Sequence, residues 1–95
     1  MKSNYTLFAV TDGYGQYRRQ YCFDTVLGRP YLKEDEYEMR FAGWGDHIGT
    51  PGPKLSSETR VISFSELRAA AKQSGETRYY EIDETNWREI LAGLW

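Results

Sequence analysis

The acidic run at positions 34–38 is the densest group of side chains in this sequence that could bind a ligand or take part in catalysis. It consists of Glu34-Asp35-Glu36-Tyr37-Glu38. Carboxylates this close together can hold a divalent cation, or they can dock a basic protein surface and speed association with it. The spacing does not match a calcium-binding loop, so neither a metal nor any other cofactor is expected. The remaining interpretations are a solvated strand edge and an acidic docking patch.

His47 is the only histidine and the second candidate for chemistry. It follows Asp46 in a glycine-rich stretch that also contains Trp44. A neutral imidazole can act as a general base near neutral pH, but no serine or cysteine motif stands beside it to supply a nucleophile. A solvated loop histidine or a contact residue is therefore favoured over a catalytic base. The chain is not expected to be an enzyme, and an enzyme that uses His47 is the weakest alternative.

Two other features resemble reactive sites but have simpler structural explanations. Gly13 and Gly15 lack the third glycine and the following helix of a dinucleotide-binding loop, and a strand is predicted to follow them. They are typical of a hairpin turn. Cys22 is the single cysteine and lies in the middle of a predicted strand, where a partly buried thiol is the usual outcome.

Tyrosines and two adjacent arginines suggest an alternative function, the binding of single-stranded nucleic acid. In this hypothesis bases stack on aromatic rings while arginines contact phosphates. The residues concerned are Tyr14, Tyr17, Tyr21, Tyr79, Arg18 and Arg19. The net charge of −2 weighs against it, since proteins that bind duplexes usually gather an excess of basic residues on one face. Nucleic acid is therefore an unfavoured partner.

Length and composition place the chain among small globular domains. Its 95 residues are enough for one domain, and a hydrophobic fraction of 40% can supply a core. One cysteine excludes an intramolecular disulfide. The sequence has no apolar run near the ~20 residues of a membrane-spanning helix, and its N-terminus lacks the apolar centre of a signal peptide. A cytoplasmic location is expected, with no membrane partner.

The N-terminal part has the pattern of an antiparallel meander. Strands are predicted over residues 5–11, 17–23 and 31–41, with a turn at residues 12–15 and a break at Gly28-Arg29-Pro30. Residues 1–42 are therefore assigned to a β-meander. Glycine, proline and serine then interrupt every periodicity, so residues 43–59 are predicted to form a long flexible loop.

The C-terminal part carries the same helix-start pattern twice. Ser63 and Asp83 are predicted N-caps, each preceded by an isoleucine and followed four residues later by Leu67 or Trp87, as in a hydrophobic staple. Gly75 is predicted to end the first helix. Short β-type runs precede both patterns, so residues 60–95 are predicted to form strand, helix, strand, helix. The segment that connects the two strands, at 60–62 and 77–82, is long enough for a crossover, so the strands could pair in parallel.

These elements predict an α+β fold for residues 1–95. The expected architecture is a small two-layer domain in which the antiparallel meander is extended by the strand-helix-strand-helix unit, with helices on one face of the sheet. The second helix carries the stripe Trp87, Ile90, Leu91 and Leu94. With Trp95 this stripe could exceed what one core covers, so a homodimer through the C-terminal helix is one further outcome.

The function expected from these observations is that of a non-enzymatic protein-binding module. In composition the chain is similar to small inhibitors carried by phages and mobile elements, such as anti-CRISPR proteins, which oppose basic nucleic-acid-handling proteins. That similarity implies a protein partner with a basic surface. The residues expected to contact it are Glu34, Asp35, Glu36, Tyr37, Glu38, Trp44, Asp46 and His47.

Overall fold

The computed structural model describes residues 3–11, 16–41 and 49–94. Four strands come first and the helical elements follow. The strands are β1 (Asn4–Thr11), β2 (Tyr17–Asp24), β3 (Arg29–Phe41) and β4 (Gly49–Val61). They are followed by helix α1 (Phe64–Ser74), a 3₁₀ turn (Thr77–Tyr79), helix α2 (Trp87–Leu91) and a second 3₁₀ turn (Ala92–Leu94).

The four strands form one antiparallel sheet in which spatial order equals chain order, β1-β2-β3-β4. Every pairing is antiparallel, with Tyr21 opposite Leu32 at the β2–β3 centre and Glu34 opposite Glu58 between β3 and β4. The predicted α+β fold with an antiparallel meander is confirmed. The turn predicted at residues 12–15 lies outside the described residues.

The flexible loop predicted for residues 43–59 is wrong over residues 49–59, because that stretch belongs to β4. The sequence does not indicate this strand, because the stretch is rich in Gly, Pro and Ser and none of these residues favours a strand by itself. The backbone of β4 instead pairs with β3, which is also 13 residues long. As an outer strand β4 can also include prolines without breaking a ladder on both sides. The rest of that prediction, residues 43–48, lies outside the described part.

The strand predicted over residues 77–82 is also wrong, and so is its parallel pairing with residues 60–62. Residues 77–79 form a 3₁₀ turn, followed by a turn at residues 80 and 81. Tyr79 and Ile82 are both buried, at 4% and 0% exposure. Their spacing of three suits a chain that turns once between them, whereas a strand would place them on opposite faces. No parallel pair occurs among the described strands.

Local capping determines where α1 begins and ends, as predicted. The Ser63 hydroxyl accepts a hydrogen bond from the backbone N–H of Glu66 at 3.0 Å. Gly75 ends the helix at φ 72°, a left-handed conformation that glycine adopts without steric penalty. The Glu66 carboxylate pairs with Arg60 at 3.1 Å, so the β4 end is tied to the first turn of the helix.

The approach to α2 contains a reciprocal cap between Asp83 and Asn86. Asp83 Oδ1 accepts from the backbone N–H of Asn86 at 2.9 Å, and Asn86 Oδ1 accepts from the backbone N–H of Asp83 at 2.8 Å. The predicted cap at Asp83 thus forms, one turn before the regular helix begins at Trp87. Because both side chains satisfy backbone donors, the turn is closed before the helix starts.

The core lies between the helices and one half of one sheet face. The sheet contributes Phe8, Tyr21, Phe23 and Leu32, and the helical part contributes Leu67, Ala71, Tyr79, Ile82, Trp87 and Leu91. Trp87 packs against Phe23 with ring centroids 4.8 Å apart. An irregularity in the β1–β2 register at Leu7 lets both Leu7 and Phe8 pack against this cluster. Most of the other residues of β1 are exposed.

Candidate functional site

A groove of about 470 Å³ lies on the sheet beyond the core. The pairing register of the strands determines which side chains form the floor of this groove. Tyr21 and Leu32 are an opposed pair in the core, and Arg19 and Glu34 are the next opposed pair on the same face, because side chains alternate along a strand. We define the acidic groove by the side chains of Val10, Tyr17, Arg19, Glu34, Glu36, Ser56 and Glu58.

Four strands contribute to two rows across this groove. The inner row consists of Val10, Arg19, Glu34 and Glu58, and the outer row consists of Tyr17, Glu36 and Ser56. The inner row places Glu34 directly opposite Glu58. Like charges in that position destabilise a sheet by roughly 0.2–1 kcal/mol. The strand register therefore places two like charges opposite one another in the groove.

The charged groups of the groove do not neutralise one another. In the part of the chain that the structure describes, Glu34, Glu36 and Glu58 form no side-chain hydrogen bond and no ion pair. The same is true there of Arg19, although it stands opposite Glu34 on β2. Glu34 and Glu36 are half-buried, so part of their hydration is already lost. Three carboxylates with one guanidinium leave the groove acidic.

Apolar surface lies beside the carboxylates. Val10 is 37% exposed and Tyr17 is 50% exposed. An aliphatic chain that carries a positive charge would contact both kinds of surface, because its stem packs on apolar groups while its head meets the acids. The combination suits the long basic side chains of a protein partner.

Asp35 points away from this groove, since it alternates with Glu34 and Glu36 along β3. Its side chain is 1% exposed and lies 3.5 Å from the Lys54 ammonium, measured to Oδ1. Gln20 Nε2 donates to Oδ2 at 3.4 Å. A hydrogen bond from Ser57 is the main reason that the pKa of Asp35 is lowered, and the Lys54 charge adds to it against the opposing effect of burial. Asp35 therefore links β2, β3 and β4.

The predicted contact residues divide into three groups. Glu34 and Glu36 lie together in the acidic groove. Asp35 and Tyr37 lie on the opposite face, where the Lys54 ammonium stands 5.9 Å from the Tyr37 ring centroid. The side chain of Glu38 is outside the described part of the chain. So are three whole residues, Trp44, Asp46 and His47.

Sequence reasoning missed Val10, Ser56 and Glu58 as neighbours of the acidic run. The sequence did indicate that the acidic run divides between two faces of the sheet, since a strand places alternate residues on opposite faces. Glu58 could not be found in the same way. It lies in the stretch predicted to be a loop, and only the β3–β4 register brings it opposite Glu34.

The other candidate chemistries find little support in the described residues. Cys22 is buried, with Sγ 3.6 Å from the Gln20 carbonyl oxygen. Tyr21 and Tyr79 are buried, each stacked on Phe8. They are therefore unavailable to stack on bases. No group of three or more potential ligands among the described residues could hold a metal ion.

No described helix has the length and apolar character needed to cross a bilayer. Comparison with known proteins adds no relative, because no family model, no curated protein and no solved structure matches this chain significantly.

Proposed function

We propose that this protein is a non-enzymatic protein-binding module that docks a basic surface of its partner in the acidic groove. The observation that carries the proposal is a group of three carboxylates in a concave part of the sheet, Glu34, Glu36 and Glu58, which have no ion-pair partner among the described residues. A partner's cations would relieve the repulsion between Glu34 and Glu58. Complementary charge of this kind raises association rates and selects among partners.

The geometry favours protein over nucleic acid as the partner. Phosphate would meet three carboxylates in the groove, and the remaining exposed aromatic ring there is Tyr17. Arg18 and Arg19 are consecutive on β2, so their side chains leave opposite faces of the sheet and do not form one phosphate-binding patch.

Within this proposal we extend the partner class to basic nucleic-acid-handling proteins, which a small phage or mobile-element inhibitor of the anti-CRISPR kind would block. Such targets present lysines and arginines that normally contact phosphates. An acidic groove would then compete for the same cations. Charge complementarity would bring the two proteins together, and their site of action would be the cytoplasm.

The test is affinity capture from a lysate of the source organism, with and without nuclease, using tagged wild type and two variants. The double variant Glu34→Gln/Glu58→Gln removes two groove charges, whereas Glu81→Gln removes one exposed charge elsewhere. We expect a protein that survives nuclease, is lost with the double variant and is kept with Glu81→Gln. Recovery that is equal for all three proteins would contradict the groove, and recovery abolished by nuclease would favour the nucleic-acid alternative.

A further inference from the structure

We infer that β4 is a pairing edge through which two copies of this chain join into one continuous antiparallel sheet, with Thr59 of one copy opposite Thr59 of the other. The inference is independent of the proposed function. It is carried by the unpaired backbone of residues 57–61, by the exposure of that segment and by the order of its charges.

The outer side of β4 carries backbone groups that have no partner among the described residues. β4 is at one end of the strand order, so only β3 pairs with it. The backbone N–H of Ile62 donates to the Pro30 carbonyl oxygen at 3.2 Å, which makes these two residues a hydrogen-bonded pair of the ladder. Because hydrogen-bonded and non-bonded pairs alternate, the N–H and C=O groups of Ser57, Thr59 and Val61 point away from β3. These groups are therefore open to another strand.

Nothing in the described part of the fold covers this edge. Every side chain from residue 54 to residue 61 is exposed. Helix α1 packs further inward, with the Phe64 ring 5.9 Å from that of Phe23 on β2. Proline, lysine and bulges usually protect outer strands from pairing. In β4 these features are confined to residues 51–55, whereas residues 56–61 pair with β3 without a register shift and contain neither proline nor lysine.

The charges of β4 select one register for the pairing of two copies. In a symmetric antiparallel pair centred on Thr59, Glu58 of each copy stands opposite Arg60 of the other, on the same face. Moving one strand by two residues in either direction would place Glu58 opposite Glu58, or Arg60 opposite Arg60. A one-residue move is excluded because it would exchange the two faces of the added strand. The other outer strand, β1, has no charged residue to set a register.

These ion pairs are compatible with the contacts that one copy already makes. Arg60 lies 3.1 Å from the Glu66 carboxylate, and its five N–H donors can serve a second carboxylate as well. Glu58 forms no ion pair within the described residues. Arg60 of the second copy would thus neutralise Glu58 at the edge of the acidic groove and leave Glu34 and Glu36 to another partner.

The same register also pairs the rest of the segment. The facing threonines, and Ser57 opposite Val61 on either side of them, would exchange about six backbone hydrogen bonds. Threonines directly opposite one another are favourable in antiparallel sheets. Val61 is 57% exposed and would lie two residues from Leu55 of the other copy, which is 59% exposed. Pairing would therefore cover exposed apolar side chains as well as backbone.

The test is the oligomeric state of wild type and of two charge-reversal variants, Glu58→Arg and Arg60→Glu, measured by sedimentation velocity at low salt and at concentrations up to about 0.5 mM. We expect wild type to dimerise. Each variant alone places like charges opposite one another, so its dimer dissociation constant should rise about tenfold or more. An equimolar mixture of the two variants restores opposite charges in both pairs and should dimerise with a dissociation constant within about threefold of wild type.

Thr59→Pro tests the backbone contribution. The N–H that it removes points outward, so the ladder with β3 is kept while the central hydrogen bonds of the dimer cannot form. We expect a folded monomer by circular dichroism and sedimentation.

Three results would overturn the inference: wild type that stays monomeric over the whole concentration range, a mixture that associates no more than its components, or a dimer that survives Thr59→Pro, as one through the C-terminal helix would. Lysate capture with Thr59→Pro measures the proposed function on a chain whose groove carboxylates are unchanged, so the two failures are distinguishable.

Discussion

At the residue scale, the acidic groove gathers like charges that the proposed partner would neutralise. Glu34 and Glu58 stand opposite one another on β3 and β4, and neither forms an ion pair within the described residues. Functional surfaces often tolerate such penalties because the partner relieves them on binding. Asp35 shows the opposite arrangement one residue away. Its carboxylate is buried, lies 3.5 Å from the Lys54 ammonium and accepts a hydrogen bond from Gln20, so it ties neighbouring strands together.

The first residue-scale prediction is that Glu58→Gln stabilises the free protein. Removing one of two opposed charges should raise the free energy of unfolding by roughly 0.2–1 kcal/mol. Denaturant unfolding at low salt measures the change, with Glu81→Gln as the matched control. The gain should shrink at high salt, where exposed charges are screened. A destabilised Glu58→Gln protein would show that Glu34 and Glu58 do not repel one another in the free state.

The second residue-scale prediction concerns Asp35→Asn. The variant should unfold more easily by roughly 1–2 kcal/mol at neutral pH, since it weakens charge-assisted hydrogen bonds. The pKa of Asp35 is lowered in the folded protein, mainly by Ser57. The stabilisation that ionised Asp35 gives the folded protein is therefore complete above its unfolded-state pKa of about 3.9. It is lost as the pH falls through the lower pKa of the folded state.

Denaturant midpoints from neutral pH down to acid would test this dependence. The difference between wild type and Asp35→Asn should narrow once the pH falls below about 4, where the carboxyl becomes protonated. A difference that stays constant down to the lowest pH at which the protein folds would contradict the assigned role of the charge.

At the element scale, capping signals were predictable from sequence and strand pairing was only partly so. Ser63 and Gly75 act on backbone groups within five residues, so their types alone indicate where α1 begins and ends. Residues 49–61 depend on β3 for their backbone partners, and their own composition resembles a loop. For the same reason Glu34 and Glu36 could be identified as acidic candidates, while Glu58 could not be placed beside them.

An element-scale prediction follows from the packing of α2 on the sheet. Trp87 is 5% exposed and its ring lies 4.8 Å from that of Phe23. Trp87→Ala should lower the free energy of unfolding by roughly 3–5 kcal/mol, because it leaves a large cavity in a small core. Chemical denaturation followed by circular dichroism would measure it. A loss below about 1 kcal/mol would mean that α2 contributes little to the core.

A second element-scale prediction compares two glycines with left-handed backbones, Gly28 at φ 68° and Gly75 at φ 72°. Gly75→Ala meets no atom within 4 Å, so it should lose only the backbone preference, about 1–2 kcal/mol. Gly28→Ala adds a Cβ that lies 3.4 Å from Trp87 Cζ2. Because that is close to ordinary van der Waals contact, Gly28→Ala should destabilise about as much as Gly75→Ala in parallel thermal melts, and a clearly larger effect would show that the added Cβ displaces the Trp87 ring.

At the scale of the whole molecule, the described chain builds a sheet that is longer than its helical cover. The helices bury the half that contains Phe23 and Leu32, and the other half of the same face is left to the acidic groove. The α+β class was predictable, because period-two runs come first and helix-start patterns come last. How much of the sheet the helices cover was not predictable, since it depends on the turn at residues 77–81, where Tyr79 and then Ile82 are buried in the core.

The strand order β1-β2-β3-β4 also has a kinetic consequence. Each strand pairs with its neighbour in sequence, so no contact in the sheet must wait for a long crossover segment to close. Chains with such local pairing pass a smaller entropic barrier and fold faster than β proteins with distant pairings. Refolding after an unfolding pulse too short for the three prolines to isomerise should therefore be a single exponential, complete within about milliseconds to tens of milliseconds. Each newly made chain would then expose its unpaired strands only briefly.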